Sequence, residues 1–171
     1  FPVQVTDLST TDVLKTSLKE QDAILSCLPY HLNLQVATVA HELGLHYFDL
    51  IEDVPTTQAI LAMSDTAQGV MAPQCGLAPG FIGIVGAFLA DKFEELRSIK
   101  LRVGALPKHP PGLLGYAFNW SPEGVVNEYL NPCEVIIKGQ QTQVPPMEAL
   151  ETIVIDGVPH EAFTTSGGLG S

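Results

Sequence analysis

The stretch Pro73-Gln-Cys-Gly-Leu-Ala-Pro-Gly-Phe81 decides the fold, because the sequence pattern changes there. Before it, short apolar runs alternate with amphipathic runs; after it come a long apolar run and then mostly strand-like segments. The stretch follows the apolar run Val70–Ala72, and its Gly76 and Gly80 permit tight turns, while Pro79 suits a first helical turn. A helix start at this point would leave backbone N–H groups free to hold an anion or a carboxylate. The alternative is a Gly/Pro-rich domain junction without a ligand, and the nine residues leave both interpretations open.

The part of the chain before this stretch predicts four short strands separated by three helices. The predicted strands are Val3–Val5, Ala23–Leu28, His46–Leu50 and Val70–Ala72, and the predicted helices run from Thr10 to Glu20, from His31 to Leu43 with Gly44 as C-cap, and from Thr56 or Thr57 to Gln68. The run Ala23–Leu28 is continuously apolar, which is typical of a parallel strand buried on both faces. This alternation indicates a doubly wound α/β layer.

Ligands of such sheets lie beyond the carboxyl ends of the strands, which selects Cys27–His31, Asp49–Asp53 and Pro73–Gly80 as the lining of one crevice. Tyr30 would donate a hydrogen bond to a carbonyl, imine or carboxylate, or else be an amphipathic residue at the rim of the core. Asp49 would anchor a substrate amine or cap a loop. Cys75 is expected to have a lowered pKa beside a helix start, or to be a small buried side chain.

The part after the stretch predicts an α+β arrangement with a mostly antiparallel sheet. A helix is predicted from Phe81 to about Leu96, with Gly83, Gly86 and Ala90 spaced for close packing. A second helix begins with Ser121 as N-cap and Pro122 in its first turn. The predicted strands are Ile99–Val103, Tyr116–Trp120, Glu134–Ile137, Gly139–Val144, Glu151–Ile155 and His160–Thr164. We therefore expect domains at residues 1–78 and 79–171.

Composition excludes several function classes. The net charge of −11 argues against binding nucleic acid or an anionic membrane through a basic surface, and no apolar run is long enough to span a bilayer. The three cysteines are widely spaced and are typical of reduced thiols in a cytoplasmic protein. The chain begins without Met and ends in a Gly-rich turn, so we expect it to be part of a longer protein.

Two motifs suggest metal or nucleotide sites and fail on spacing. His41 and His46 are five residues apart with Gly44 between them, whereas a zinc-protease helix needs two histidines four apart, so no metal site is expected. Gly80, Gly83 and Gly86 lack the G-x-G opening of a dinucleotide fingerprint, and close helix packing explains them better.

With these residues in view, the sequence resembles the saccharopine dehydrogenase family, and most closely its lysine 6-dehydrogenase-like branch. The resembling segments follow the family's order over nearly the whole chain: Asp22–Tyr30, Gly44–Asp49, Cys75–Phe81, Val103–Pro107, Tyr116–Glu123, Glu128–Pro132 and Glu161–Gly168.

The resemblance implies the second half of a Rossmann-type parallel sheet, which binds NAD or NADP, followed by an α+β substrate and dimerisation domain. It implies Tyr30 as a catalytic residue. The residues that it places beside the cofactor are Leu28, Pro29, Gly76, Leu77 and Pro79. Those that it places beside the substrate are Asp49, Gly80, Asn119, Trp120 and Ser121. The Asp-His pair that some members carry after Pro-Gly is replaced here by Phe81-Ile-Gly83, so that acid/base role does not carry over.

The resemblance thus predicts an NAD(P)-dependent oxidoreductase, cytoplasmic and homodimeric, that transfers hydride at the C–N bond of a lysine-like amino acid or its imine. The glycine-rich phosphate-binding turn is absent from these residues, so the chain by itself is expected to bind cofactor weakly and to be inactive. The alternative from another class is a non-catalytic family member that acts as a dimerisation or ligand-binding module. A hydrolase that uses Cys75 is disfavoured because no His lies beside it in sequence.

Overall fold

A computed structural model describes residues 3–104, 107–109, 112–113, 117–118 and 121–167. Its contacts divide the chain between Phe81 and Ile82 into two compact units.

The first unit contains a three-stranded parallel sheet with helices in the connections. Its strands are β1 (Ala23–Ser26), β2 (His46–Asp49) and β3 (Met71–Ala72), paired in the order β1-β2-β3. Its helices are α1 (Thr11–Leu18), α2 (Tyr30–Leu43) and α3 (Val54–Met63), and a 3-10 turn follows at Ser64–Thr66. In the register of the sheet, Ser26 pairs with Asp49 and Phe48 pairs with Ala72, so all three strands end at one edge. The predicted parallel α/β layer is confirmed.

Helix α2 supplies most of the core of this unit. Val36, Ala37, Val39 and Ala40 are buried on one side of the helix, with Val36 and Ala40 four residues apart. They join a cluster of buried side chains: Leu14, Leu45, Tyr47, Ile51, Ile60 and Met71. The helix ends where predicted, since Gly44 adopts a left-handed conformation (φ 72°) and its N–H bonds the carbonyls of Ala40 and His41.

Helix α3 begins earlier than the sequence pattern predicted. Asp53 is its N-cap: one carboxylate oxygen accepts hydrogen bonds from the N–H of Thr56 at 3.0 Å and from its hydroxyl at 2.6 Å. Pro55 lies in the first turn, where a missing N–H costs no helical bond. The threonines predicted as caps are therefore inside the helix.

Two strand predictions in this unit are wrong. Val3–Val5 is not a strand: both valines are almost fully exposed, and within the described part of the chain no strand pairs with them. Strand β1 is not buried on both faces either, because Ala23 and Leu25, which share one face, are both exposed, Leu25 by 62%. An apolar run predicts a strand, but it does not show how much of that strand other elements cover.

The described residues of the second unit form two helices and two antiparallel hairpins. Helix α4 is Phe81–Ala90 and helix α5 is Pro122–Glu128. The hairpins pair β4 (Cys133–Ile137) with β5 (Gln140–Val144), and β6 (Glu151–Ile155) with β7 (Val158–Ala162). The predicted antiparallel pairing is confirmed, in two separate two-stranded sheets.

Helix α4 is shorter than predicted. It ends at Ala90, and the chain tightens into i→i−3 bonds from Lys92 to Leu89 and from Phe93 to Ala90. Of its glycines, Gly86 packs closely, since a Cβ there would lie 2.8 Å from Leu101 Cδ2.

The alternating segment Ile99–Val103 forms no strand. Its two basic residues instead converge on one acid: Lys100 Nζ lies 3.1 Å from Glu151 Oε2, and Arg102 Nε lies 2.9 Å from Glu151 Oε1. The side chains of this segment alternate as in a strand, but its contacts with Glu151 are side-chain ion pairs rather than the backbone hydrogen bonds of a sheet. The other predicted strand, Tyr116–Trp120, falls largely outside the described residues.

Candidate functional site

The carboxyl edge of the parallel sheet brings the three predicted crevice segments into one region of the first unit. Ser26, Asp49 and Ala72 end the three strands, and the segments 27–31, 49–53 and 73–80 follow them. Two of these loops are bonded directly, because the N–H of Cys75 donates to the carbonyl of Asp49 at 2.7 Å.

Tyr30 lies at this edge as the first residue of helix α2. Pro29 is the N-cap residue, and its side chain accepts no hydrogen bond from the first turn of the helix. The tyrosine ring is 41% exposed and stands edge-on to His31, with ring centroids 5.8 Å apart. Its hydroxyl is thus attached to an exposed ring on the first turn of a helix, at the carboxyl edge of the sheet.

Asp49 is fully buried and its carboxylate is engaged with the protein itself. Oδ1 accepts hydrogen bonds from the backbone N–H of Ile51 at 3.2 Å and of Gln74 at 3.0 Å, and Oδ2 accepts from the hydroxyl of Tyr47 at 2.9 Å. Of the two roles that the sequence left open, these contacts are those of a loop cap. Anchoring a substrate amine stays a prediction.

The buried polar network around Asp49 was missed by sequence reasoning. The Tyr47 hydroxyl, whose single proton faces Asp49, also lies 3.4 Å from the carbonyl oxygen of Asn33, and the amide oxygen of Asn33 accepts from the hydroxyl of Ser26. All four side chains are at most 4% exposed. A signal was present, since Asn33 shares the helical stripe of Val36, Ala37 and Ala40 and so had to be buried.

The loop from β3 to α4 folds back on itself. Gly76 and Gly80 form an isolated bridge, the N–H of Phe81 donates to the carbonyl of Gly76 at 2.8 Å, and the Ala78–Pro79 peptide is cis. Pro79 therefore precedes α4 instead of lying in its first turn, and the N–H of Phe81 has a partner within the loop. Leu77 stands 59% exposed at the tip.

Both expectations for Cys75 are wrong: the residue is exposed rather than buried, and its pKa is raised rather than lowered. Desolvation by the surrounding protein, followed by the negative charge of Asp49, raises the pKa of the thiol. The sulfur lies 3.3 Å from the carbonyl oxygen of Ala72, a contact that favours the protonated form. These neighbours outweigh any helix dipole, so Cys75 lacks the features of a nucleophile.

Cys75 is accordingly expected to react with iodoacetamide more slowly than a small-molecule thiol at neutral pH, because its thiolate fraction is smaller. Peptide mass spectrometry at several times would give its rate separately from that of Cys27, with Cys75→Ser identifying the modified peptide. A Cys75 that is alkylated faster than the free thiol would contradict this assignment.

The remaining predicted site residues belong to the second unit. Ser121 caps α5, as its sequence context predicted: its hydroxyl accepts a hydrogen bond from the N–H of Gly124 at 3.1 Å. Asn119 and Trp120 lie outside the described residues.

Within the described ranges, no group of three or more His, Cys, Asp and Glu side chains is arranged to hold a metal ion. The two histidines of the zinc-like motif have other partners: His41 Nε2 lies 2.9 Å from Thr66 Oγ1, and His46 Nδ1 accepts from the N–H of Val70 at 3.0 Å.

None of the helices described is both long and apolar enough to cross a membrane.

The crevice segments fit one end of a nicotinamide dinucleotide. Leu28 and Leu77 place half-buried and exposed apolar side chains on loops at the same sheet edge, and Tyr30 adds an aromatic ring. The segments 27–31, 49–53 and 73–80 contain no Lys or Arg to neutralise phosphates. These segments also lack the G-x-G-x-x-G turn whose backbone N–H groups hold a pyrophosphate, so their apolar and aromatic side chains are compatible with the nicotinamide end of the cofactor.

Comparison with known proteins gives consistent matches in both units. Residues 2–72 match the saccharopine dehydrogenase NADP binding domain, and residues 76–170 match the saccharopine dehydrogenase C-terminal domain. The mitochondrial alpha-aminoadipic semialdehyde synthase of Rattus norvegicus is 25% identical over 178 residues, covering 95% of this chain and 19% of that protein. The Mus musculus protein of the same description is 25% identical over 175 residues, covering 93% and 19%.

The structural comparison supports the fold. The chain superimposes on apo histidine-tagged saccharopine dehydrogenase (L-Glu forming) from Saccharomyces cerevisiae with a TM-score of 0.61 and 18% identity, over 92% of this chain and 38% of that one. The chain spans about a fifth of the length of the curated relatives it matches, at 19% of each.

Proposed function

Because the chain belongs to the saccharopine dehydrogenase family, we propose that the full-length protein is an NAD(P)-dependent oxidoreductase acting on a lysine-like amino acid or its imine. The observation that carries this proposal is the carboxyl edge of the parallel sheet. There the loops after β2 and β3 are bonded together, and Tyr30 stands on the first turn of α2. Ligands of open α/β sheets bind at this edge.

The proposal gives each predicted residue a task. Leu28, Pro29, Gly76, Leu77 and Pro79 would line the nicotinamide position. Gly80, Asn119, Trp120 and Ser121 would keep the contacts with the amino-acid substrate that the resemblance implies. Asp49, which is fully buried with both carboxylate oxygens bonded within the protein, would serve the site through the loops that it joins rather than by touching the substrate. The nicotinamide, when bound, supplies the hydride acceptor or donor.

The residues of this chain would then orient the substrate and manage its proton. The Tyr30 hydroxyl would donate a hydrogen bond, and in the reducing direction its proton, to the imine nitrogen, where negative charge develops as the C–N bond changes from double to single. The apolar side chains of Leu28 and Leu77 would exclude water from the nicotinamide face, which strengthens that hydrogen bond.

The test is turnover by the full-length protein. Formation or loss of reduced nicotinamide is followed with NAD and NADP in turn, using L-lysine and saccharopine as candidate substrates. Turnover with one of these substrates supports the proposal. Cofactor binding without turnover would favour the non-catalytic alternative, and absence of both would overturn the proposal.

Replacing Tyr30 with phenylalanine is expected to lower kcat about a hundredfold, the usual contribution of one positioned proton donor, while leaving the dissociation constant of the cofactor nearly unchanged. Tyr129→Phe is the matched control, since Tyr129 lies in the second unit against Phe163, with ring centroids 5.9 Å apart. Equal kcat values for the two variants would remove Tyr30 from the mechanism.

The homodimeric state and the cytoplasmic location remain part of the proposal. The described cysteines are all free, which suits a reducing compartment, whereas the matched relatives are described as mitochondrial proteins. Sedimentation of the full-length protein and fractionation of cells that express it would decide the two points separately.

A further inference from the structure

A single buried carboxylate joins the two loops that line the crevice. Asp49 ends β2, and its Oδ1 accepts from the N–H of Ile51 in the following loop and from the N–H of Gln74 in the loop after β3. Its own carbonyl accepts from the N–H of Cys75. Because the residue is fully buried, these bonds do not compete with water.

Tyr47 extends this connection to the first turn of α2. Its hydroxyl lies 2.9 Å from Asp49 Oδ2 and 3.4 Å from the carbonyl oxygen of Asn33. Asn33 is three residues after Tyr30, so both lie on the same helical turn. The chain of contacts therefore runs from the loop after β3, through β2, to the helix turn that carries Tyr30.

The hydrogen-bonding groups of Asp49 and Tyr47 are suited to keep the two loops joined. The three groups bonded to the Asp49 carboxylate, two backbone N–H groups and the Tyr47 hydroxyl, are all donors, and its two oxygens accept from each of them. Burial, and then the charge of Asp49, raises the pKa of the Tyr47 hydroxyl, so that it stays protonated and continues to donate.

The loop that Asp49 holds is strained at the point of contact. Gln74 has a positive φ of 61°, a conformation that residues other than glycine rarely adopt. Such a conformation persists only where surrounding contacts over-determine it, and it is enriched at functional sites. The bond from the Gln74 N–H to Asp49 Oδ1 is one of those contacts.

We propose that Tyr47 and Asp49 are positioning residues of the site: they hold the segment Gln74–Gly80 at a fixed distance from the turn that carries Tyr30. This role rests on the proposed function, since it assigns the nicotinamide position to the gap between these two segments. Neither side chain would touch the reacting atoms.

The test uses Asp49→Asn, which keeps the size of the side chain and one acceptor oxygen, and Tyr47→Phe, which removes a single hydroxyl. Asp65→Asn is the control, because it removes the same charge from an exposed position of the same unit. Amide hydrogen exchange and steady-state kinetics are measured on the full-length protein. Should Asp49→Asn fail to fold, Tyr47→Phe carries both measurements.

In both variants, exchange at the amides of Gln74 and Cys75 is expected to accelerate about tenfold, the effect of weakening one buried hydrogen bond. Exchange at Val39 and Ala40 in the core of α2 is expected to stay unchanged. The Michaelis constant for the cofactor should rise, and the deuterium isotope effect on kcat should increase as misplacement makes hydride transfer slower. A loss of folded protein alone would lower kcat and move neither of these two quantities.

Three results would overturn the proposal. Unchanged exchange at Gln74 and Cys75 would show that Asp49 does not hold the loop. Faster exchange with an unchanged Michaelis constant and isotope effect would show a tether without a positioning role. Absence of nicotinamide-dependent turnover in the unaltered protein, measured first, would overturn the proposed function and this role with it, so the two failures are distinguishable.

Discussion

Replacing Gly69 with alanine is expected to unfold the first unit. A Cβ at this position would lie 2.3 Å from the carbonyl oxygen of Leu45, 2.5 Å from its carbonyl carbon and 2.9 Å from the nitrogen of His46. All three atoms belong to the backbone, so no rotamer change can relieve the contact. The neighbouring Val70 carbonyl accepts the N–H of Tyr47 at 2.7 Å, and the β2–β3 pairing therefore has to move with it. The expected loss of stability is at least about 3 kcal/mol.

Urea denaturation of the protein and its Gly69→Ala variant, followed by circular dichroism, would measure the loss. Gly83→Ala is the matched control, because a Cβ at Gly83 meets nothing within 4 Å. Since Gly83 lies inside helix α4, alanine there is expected to stabilise the protein slightly. A Gly69→Ala variant as stable as the control would show that the chain around Leu45 is free to move.

The parallel layer could be predicted from sequence because its signals are local. Each apolar run of β1, β2 and β3 lies within one strand, and the buried stripe of α2 lies within one helix. Gly44 marks the end of that helix. The strand prediction at Val3–Val5 failed for the opposite reason. Alternation gives the tendency to be extended, whereas a strand also needs a neighbour to pair with.

The candidate crevice was located by a topological rule, but its internal bonding was not. The rule selects the carboxyl ends of the strands and so places Asp49 and Cys75 at one edge. It does not say that Asp49 faces inward to Tyr47, Ile51 and Gln74, since these bonds join residues up to 25 positions apart. The pKa of Cys75 was mispredicted because its neighbours were unknown.

In the second unit, turn chemistry was informative and alternation was not. Ser121-Pro122 gave the start of α5. Each of the four hairpin strands overlaps a predicted strand, but Gly139, predicted to begin a strand, lies in the turn before β5, and β7 begins at Val158 rather than at His160. Ile99–Val103 alternates just as clearly, but its charged residues pair with Glu151 through side chains. Periodicity describes which side chains share a face and leaves their partners undetermined.

Replacing Gly80 with alanine is expected to abolish the geometry of the loop between β3 and α4. Gly80 has a φ of 126°, outside the regions that L-residues adopt, and a Cβ there would lie 2.4 Å from the carbonyl oxygen of Gly76 and 2.7 Å from that of Gln74. The loop would have to open its Gly76–Gly80 bridge. If this loop lines the nicotinamide position, we expect the cofactor affinity of the full-length protein to fall at least about a hundredfold.

The control for Gly80→Ala is Gly139→Ala, which separates backbone strain from collision. Gly139 also has a positive φ, of 78°, but a Cβ there would meet nothing within 4 Å. Its replacement should therefore cost only the roughly 1–2 kcal/mol of the left-handed conformation and leave cofactor affinity unchanged. Titration of the cofactor against each variant, with stability measured in parallel, distinguishes the outcomes. A folded Gly80→Ala protein that binds cofactor as tightly as the unaltered one would mean that this loop does not form the site, whatever the chemistry of the sheet edge beside it.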